Sequence, residues 1–303
     1  MSAALDPVPC SLSVMPLHVI NEILDHMEII DLMVLMKVSR NFRSVVRNMK
    51  VLINWLTLNY SEKLHCVSIV YNMRYHIRYE QKDGGCVVVY YFGSPKRKEI
   101  QKFVAGEDYV ELCNKDLKLM IENRKVQLET FLPVFDGIEN EARKNFIDGI
   151  EKTLKSAESL SLKTIQSHHV SFQELAQLLP IFPAKKLEYL YLYGRMDGPG
   201  YEQLINLDQW KQARKFHGFS KNLIIPIEHF FISRGLMFVS KLSQKLIDRS
   251  SHFVHAGIHF RDMNIRKLKR EFAEERNFVH QTPDKRSFNV EICRDGLIIN
   301  RTG

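Results

Sequence analysis

Residues 15–46, MPLHVINEILDHMEIIDLMVLMKVSRNFRSVV, constrain the fold of this chain more than any other stretch. Apolar residues recur there at helical spacing, in blocks too short to close a core of their own. Pro16 suits the first turn of a helix, because its φ is fixed and it has no N–H to lose. Ile20, Ile23, Leu24 and Met27 then fall at i, i+3, i+4 and i+7, which makes one apolar stripe. Asp31 is expected to cap a second helix carrying Leu32, Leu35 and Val38. Ser39 is expected to cap a third, with Phe42, Val45, Val46 and Met49 at helical spacing. Helices this short are marginal in water. Their stripes need a partner surface, either the rest of the chain or a second protein gripped with helices in a groove.

The residues themselves carry a resemblance. Pro16, Ile23-Leu24, Asp31-Leu32, Leu35, Val38-Ser39-Arg40, Phe42-Arg43 and Val46 stand at matching intervals without a gap. This pattern resembles an F-box, the segment that docks on the Skp-type adaptor of cullin-based ubiquitin ligases. The resemblance implies an adaptor-binding set of Met15, Pro16, Ile20, Ile23, Leu24, Leu32, Leu35, Val38, Ser39 and Phe42. It has departures. Met15 stands where Leu is usual, Leu17-His18 where acidic residues are common, Ile29-Ile30 in place of a Pro- or Lys-containing loop, and Phe42 in place of a Trp. All but His18 keep the apolar character that docking needs.

At 303 residues the chain has room for roughly two domains. It is 45% hydrophobic and 26% charged, ordinary values for a globular protein that buries a sizeable core. No apolar run approaches the roughly 20 residues of a membrane-spanning helix. The segment MSAALDPVPCSLS has neither a basic start nor a long apolar centre, so it does not read as a secretory signal. Cys10, Cys66, Cys86, Cys113 and Cys293 are odd in number and never spaced C-x-x-C. Neither a disulfide framework nor a cysteine zinc site is indicated, and a reducing intracellular compartment, cytoplasmic or nuclear, is the expected home. The net charge of +8 sits entirely in the last third. Residues 211–303 hold eighteen Lys/Arg against nine Asp/Glu, including Arg266, Lys267, Lys269 and Arg270. Such a run attracts acidic partners, or simply forms a solvated helix face paired to Glu271, Glu274 and Glu275.

After the helices, Val51–Tyr60 (VLINWLTLNY) is expected to continue the helical packing. Met73–Gln81 and Cys86–Phe92 flank Lys82-Asp83-Gly84-Gly85 and read as a hairpin, since Asp-Gly supplies positive φ. Val67–Tyr71 is a candidate third strand, and Lys96–Glu99 reads as a loop. Further on, Ala157–Leu162 recurs thirty residues later as Leu187–Leu192, both with period-two apolar residues. Between them Ser171-Phe-Gln-Glu174 is a capping box opening a helix with Leu175, Leu178 and Leu179. Strand, capped helix and strand at this period predict a right-handed α/β repeat. Further copies are expected at Gln127–Phe135, with a helix over Phe146 and Ile150, and at Ala213–Phe219. No Asn occupies a leucine-rich ladder position, so the repeat is at most degenerate. Arg286–Arg301 reads as a hairpin turning at Asp295-Gly296.

F-box, β hairpin and leucine-patterned α/β region together resemble the nematode-expanded F-box proteins with an FTH domain. Leu187-Glu-Tyr-Leu-Tyr-Leu192 followed by a Gly at 194 is similar to that family's strand pattern. The fold class expected is α+β: a three-helix F-box, a β hairpin, then a degenerate leucine-rich-repeat-like α/β domain. The expected division is 1–60 for the F-box with a helical extension, 61–110 for a hairpin connector and 111–303 for an FTH-like domain.

The resemblance implies a substrate-recognition subunit of an SCF-type ligase. Its partners would be a Skp-type adaptor, through it a cullin, and a target protein held by the C-terminal region. Tyr189, Tyr191 and Tyr193, alternating with Leu190 and Leu192, are candidate target contacts with Arg195 beside them. No catalytic residue, cofactor or metal is expected. There is no G-x-S-x-G, Walker loop or G-x-G-x-x-G; Gly194–Gly200 reads as a turn. His252, His255 and His259 have the spacing of a metal cluster only if they lie on a helix, and their apolar neighbours favour a strand or loop. Neither nucleic acid nor membrane is the expected partner. The alternative is a basic protein that contacts RNA or another acidic polymer through residues 211–303 and their interleaved aromatics.

Overall fold

A computed structural model describes residues 15–92, 98–122, 124–193, 200–220, 255–260, 277–281, 287–293 and 296–302. Three short helices come first: α1 (Leu17–Asp25), α2 (Ile29–Val38) and α3 (Arg40–Arg47). Ser39 caps α3 as expected, its hydroxyl accepting from Phe42 N at 3.4 Å. Asp31 does not cap α2. That helix starts at Ile29, with Glu28 in the extended conformation of an N-cap, and Asp31 lies in its first turn. There the carboxylate still favours the positive end of the helix dipole, which is the signal misread as a cap.

The predicted helical continuation over Val51–Tyr60 is wrong, for this stretch is strand β1 (Val51–Ser61). Val51, Ile53, Trp55, Thr57 and Tyr60 are β-formers. Both edges of β1 are satisfied by pairing, antiparallel to β2 (Cys66–Tyr71) and parallel to β6 (Lys125–Asp136). The expected hairpin is part of a meander of four strands, β2, β3 (Tyr75–Lys82), β4 (Gly85–Phe92) and β5 (Lys98–Ala105). Its central turn holds Gly84 at φ 76°. Lys98 and Glu99, read as loop, begin β5.

Next come α4 (Tyr109–Ile121), β6, α5 (Glu141–Lys155), β7 (Ser159–His168), α6 (Phe172–Leu178), β8 (Tyr189–Tyr193), α7 (Tyr201–Asn206), α8 (Asp208–Gln212) and β9 (Lys215–Ser220). Strands β10 (His255–Phe260), β11 (Asn277–Gln281), β12 (Ser287–Cys293) and β13 (Gly296–Thr302) complete the described chain. All described strands form one sheet, ordered β11-β12-β13-β10-β9-β8-β7-β6-β1-β2-β3-β4-β5. The α+β class therefore holds. The expected tail hairpin is present as β12 antiparallel to β13, with Cys293 opposite Gly296.

Strands β1, β6, β7, β8 and β9 are mutually parallel and neighbours in order. Right-handed crossovers that all step the same way leave their helices on one side of the sheet. The capping box is formed as predicted, with Ser171 and Glu174 bonding each other's backbone N–H. The repeat register is not as predicted. Leu190 sits level with Ile165 rather than Leu160. The buried apolar positions step by three instead of two at one level of three adjacent strands: Ile53 to Leu56, Leu128 to Phe131, and Leu162 to Ile165, with Thr130 buried between the second pair. A period-two alignment slips across such a step, since one residue of shift moves a strand's apolar set to the other face.

The main core joins α2 to the sheet, Ile30 and Met33 being buried with Val51, Ile53 and the interior of α4. A second small core holds Leu24, Met36 and Val46, with Ile20, Leu32, Leu35 and Leu119 packed against it. Under α4, buried Asp116 accepts from Tyr79 Oη at 2.8 Å and pairs with Lys37 of α2 at 2.7 Å. Burial, with Cys113 and Asp116 nearby, holds the Tyr71 and Tyr79 phenols well above their ordinary range. Both hydroxyls therefore stay protonated.

Candidate functional site

The three N-terminal helices divide the expected adaptor set into two groups. Leu24 is buried, and Ile20, Leu32, Leu35, Phe42 and Met15 are half-buried. Leu24, Ile20, Leu32 and Leu35 hold the unit together, Phe42 and Met15 belong to neither core, and Ser39 serves as a cap. Pro16, Ile23 and Val38 remain exposed, Val38 at 73%. Two exposed apolar residues were missed, Leu17 at 59% and Val34 at 53%. Their signal was legible. Leu32, Met33, Val34, Leu35 and Met36 run apolar without a break, and a helix that is apolar all round cannot turn every side inward. Ile30, Met33 and Met36 take the inner side of α2. Val34 and Val38, one turn apart, are left outside.

This unit is tied firmly to the sheet. Arg124, 1% exposed, donates through Nη2 to Val46 O at 2.6 Å and through Nη1 to Met120 O at 3.1 Å. It thereby closes the C-terminal ends of both α3 and α4. Burial, then repulsion from Arg47, pulls the guanidinium down to about 10, so it stays charged at neutral pH. Arg43 Nε donates to Met36 O at 2.8 Å, locking α3 to α2. Glu28 at the start of α2 pairs with Arg74 at 3.0 Å, and Arg47 with Glu122 at 3.6 Å.

The second candidate surface is β8 with its neighbours. Leu190 and Leu192 are buried in the main core, while Tyr189, Tyr191 and Tyr193 are half-buried on the other face. Tyr189 and Tyr191 stack with centroids 6.4 Å apart at 12°, and Tyr193 stacks on His168 at 4.6 Å and 24°. The ammonium groups of Lys215 and Lys163 stand 5.2 and 6.0 Å from the Tyr189 ring. Burial, then the neighbouring tyrosines, raises the Tyr191 phenol, keeping it a donor. Arg195 lies outside the described residues, as do most of Gly194–Gly200, His252 and the basic run at 266–270. His255 and His259 belong to β10. Four residues of strand span about 13 Å, too far to share one ion.

A third constellation fixes the loops that end the parallel strands. Arg143 and Glu174 form a buried two-pronged pair at 2.7 and 2.8 Å. Arg143 also donates to the carbonyls of Phe135, Gly137 and His169. These carbonyls lie in the last residues of β6 or just past the ends of β6 and β7, so a single guanidinium ties those C-terminal ends to α5 and α6. The arrangement is positional, for every donor is spent on protein acceptors.

Comparison with known proteins adds to this geometry. The sequence model of the F-box domain matches residues 12–54, and that of the FTH domain matches residues 144–276. F-box A protein 224 of Caenorhabditis elegans is 31% identical over 316 residues, an alignment covering 97% of this chain and 80% of the relative. No solved structure matches. No helix among the described residues is long and apolar enough to cross a membrane.

Proposed function

The chain belongs to the F-box proteins that carry an FTH domain, and from that premise we propose that it is the substrate-recognition subunit of an SCF-type ubiquitin ligase. Residues 15–49 bind a Skp-type adaptor and through it a cullin. Residues 111–303 hold the target, with the 61–110 meander between. The observation that carries this reading is α2, whose inner side is spent on two cores while Val34 and Val38 stand in water. Burying two such valines in an adaptor groove recovers roughly 1 kcal/mol or more each.

The mechanism is proximity. Holding target and ubiquitin-loaded enzyme on one frame raises their effective concentration. That requires a stiff link, and Arg124, Lys37–Asp116 and the shared core around Ile30 supply one. The chain needs no catalytic group of its own on this reading.

The target side is assigned to Tyr189, Tyr191 and Tyr193, with Arg195 following them in sequence. Tyrosines in a row have the composition of an interface hot spot. The test is affinity capture on immobilised adaptor, with the proteins retained alongside the chain quantified by mass spectrometry. Tyr191→Ala with Tyr193→Ala should leave adaptor capture intact and deplete one retained protein. Equal loss of both, or of neither, contradicts a separate target surface on β8.

A further inference from the structure

The F-box match ends at residue 54, yet the fold brings a later turn beside α2. Strands β2 and β3 are joined by a four-residue turn, closed by Arg74 N donating to Tyr71 O at 3.0 Å. Its two central residues, Asn72 and Met73, both have positive φ, at 50° and 55°. A hairpin turn with that backbone ordinarily places Asn and then Gly there. Asn72 fits the rule. Its side-chain oxygen accepts from Asn54 N at 3.0 Å and Trp55 N at 3.1 Å, and its own N–H donates to Trp55 O at 2.7 Å. Met73 does not fit. A methionine is strained at positive φ, and this one is 74% exposed and belongs to neither apolar core. Core packing therefore does not offset its strain.

The turn stands against the start of α2. Arg74, the residue after Met73, pairs at 3.0 Å with Glu28 at the N-cap position of α2. Tyr75 shares the main core with Ile30 and Met33. Burial, then the Glu28 carboxylate, raises the Tyr75 phenol, and Asp31 adds to the effect, so that carboxylate lies near the turn as well. Asp31, Val34 and Val38 fall at i, i+3 and i+7, one stripe of α2, and all three are exposed. The stripe therefore begins beside the turn and runs away from it for about 15 Å. Resting on the reading of that stripe as the adaptor surface, we propose that the adaptor contact continues past the F-box onto the β2–β3 turn, where Met73 is a further apolar anchor. The occupant is the Skp-type adaptor itself, because the turn is continuous with the stripe and is fixed to it through Arg74 and Glu28. An unbranched thioether suits such a contact, since it fits itself to an irregular hollow. The turn is already held by the Asn72 bonds, so little ordering is lost on docking.

The test is calorimetric titration of the purified full chain with a Skp-type adaptor, beside thermal unfolding of each variant. Met73→Gly removes the side chain and relieves the positive φ. Its unfolding midpoint should equal or exceed that of the native chain, while its adaptor affinity falls about fivefold, the loss of most of one buried apolar side chain. A purely structural role for Met73 would not move stability and affinity in opposite directions. Met73→Leu should keep the affinity within about twofold. Leu64→Ala, at the far end of β2 and equally open with Leu64 at 65% exposure, should leave it unchanged. A direct readout is oxidation of Met73 to its sulfoxide by dilute hydrogen peroxide, followed by mass spectrometry, which should slow about fivefold or more once adaptor is bound. Three results overturn the proposal: native affinity in Met73→Gly, equal weakening by Leu64→Ala, or unslowed oxidation of Met73 in the complex. If Val34→Asp with Val38→Asp abolishes binding in any of those cases, the α2 surface stands and only its extension onto the turn is wrong. If that variant binds as the native chain does, or the native chain does not bind, the adaptor reading fails and the extension with it.

Discussion

Arg124 is the residue on which the connection between the two surfaces most depends. It is fully buried and charged, and it spends two donors on the carbonyl ends of α3 and α4. Its Nε has no partner, so the site is not optimised for stability; it holds two helix ends in register. Replacing it with Leu strands the Met120 carbonyl in the interior and leaves the Val46 carbonyl with only the Met49 N–H. We expect a loss of about 2 kcal/mol in urea unfolding, together with faster hydrogen exchange in α3. An unchanged midpoint would show that Arg124 is not the tie. Leu24 gives the opposite lesson. The F-box pattern marks it as an adaptor contact, yet it is 2% exposed and closes the small core with Met36 and Val46. Leu24→Asp should therefore unfold the three helices and lower thermal stability outright, and loss of adaptor capture by that variant would say nothing about the interface.

At the scale of elements, periodicity and capping chemistry were legible wherever one rule acted alone. The capping box at Ser171, the Ser39 cap, the Asp83-Gly84 turn and the helix over Phe146 and Ile150 all formed as their local signals require. Asp31 failed locally, because α2 begins two residues earlier and leaves it in the first turn; the other failures came where tertiary pairing overrode a local cue. Val51–Tyr60 follows three helices, but its β-branched and aromatic residues find partners on both sides, in β2 and β6, and the sheet claims it. The Leu160 to Leu190 alignment slipped because the buried set steps by three within β7, an irregularity visible only once β6 and β7 lie in register. Neither Arg124 nor the Arg143–Glu174 pair had a sequence signal, since each gathers carbonyls from segments far apart in the chain. The latter yields a prediction at this scale. Glu174→Gln keeps the shape but leaves the Arg143 guanidinium buried without its counter-charge. Breaking such a pair costs about 3 kcal/mol, read as a lowered unfolding midpoint. A loss under about 1 kcal/mol would mean that the Phe135, Gly137 and His169 carbonyls suffice.

For the molecule as a whole, the sheet is the frame. The N-terminal helices carry valines turned to water, and the side of β8 away from the core carries half-buried tyrosines, with Lys163 and Lys215 of the flanking strands beside Tyr189. The F-box family model ends inside β1 and the FTH model begins inside α5. The strands between belong to neither match, yet they pair with both neighbours and make the link stiff. A substrate receptor needs such a link, because a target tethered loosely gains less effective concentration at the ligase's active centre. The claim underneath all of this is that the outer side of α2 is an adaptor surface. Calorimetric titration of the purified full chain with a Skp-type adaptor tests it, comparing the native chain with Val34→Asp plus Val38→Asp. Both positions are solvent-exposed, so the variant should unfold within about 0.5 kcal/mol of the native chain. The account predicts one-to-one binding by the native chain and no measurable heat from the variant. Equal affinity for both, or no binding by the native chain, would contradict it.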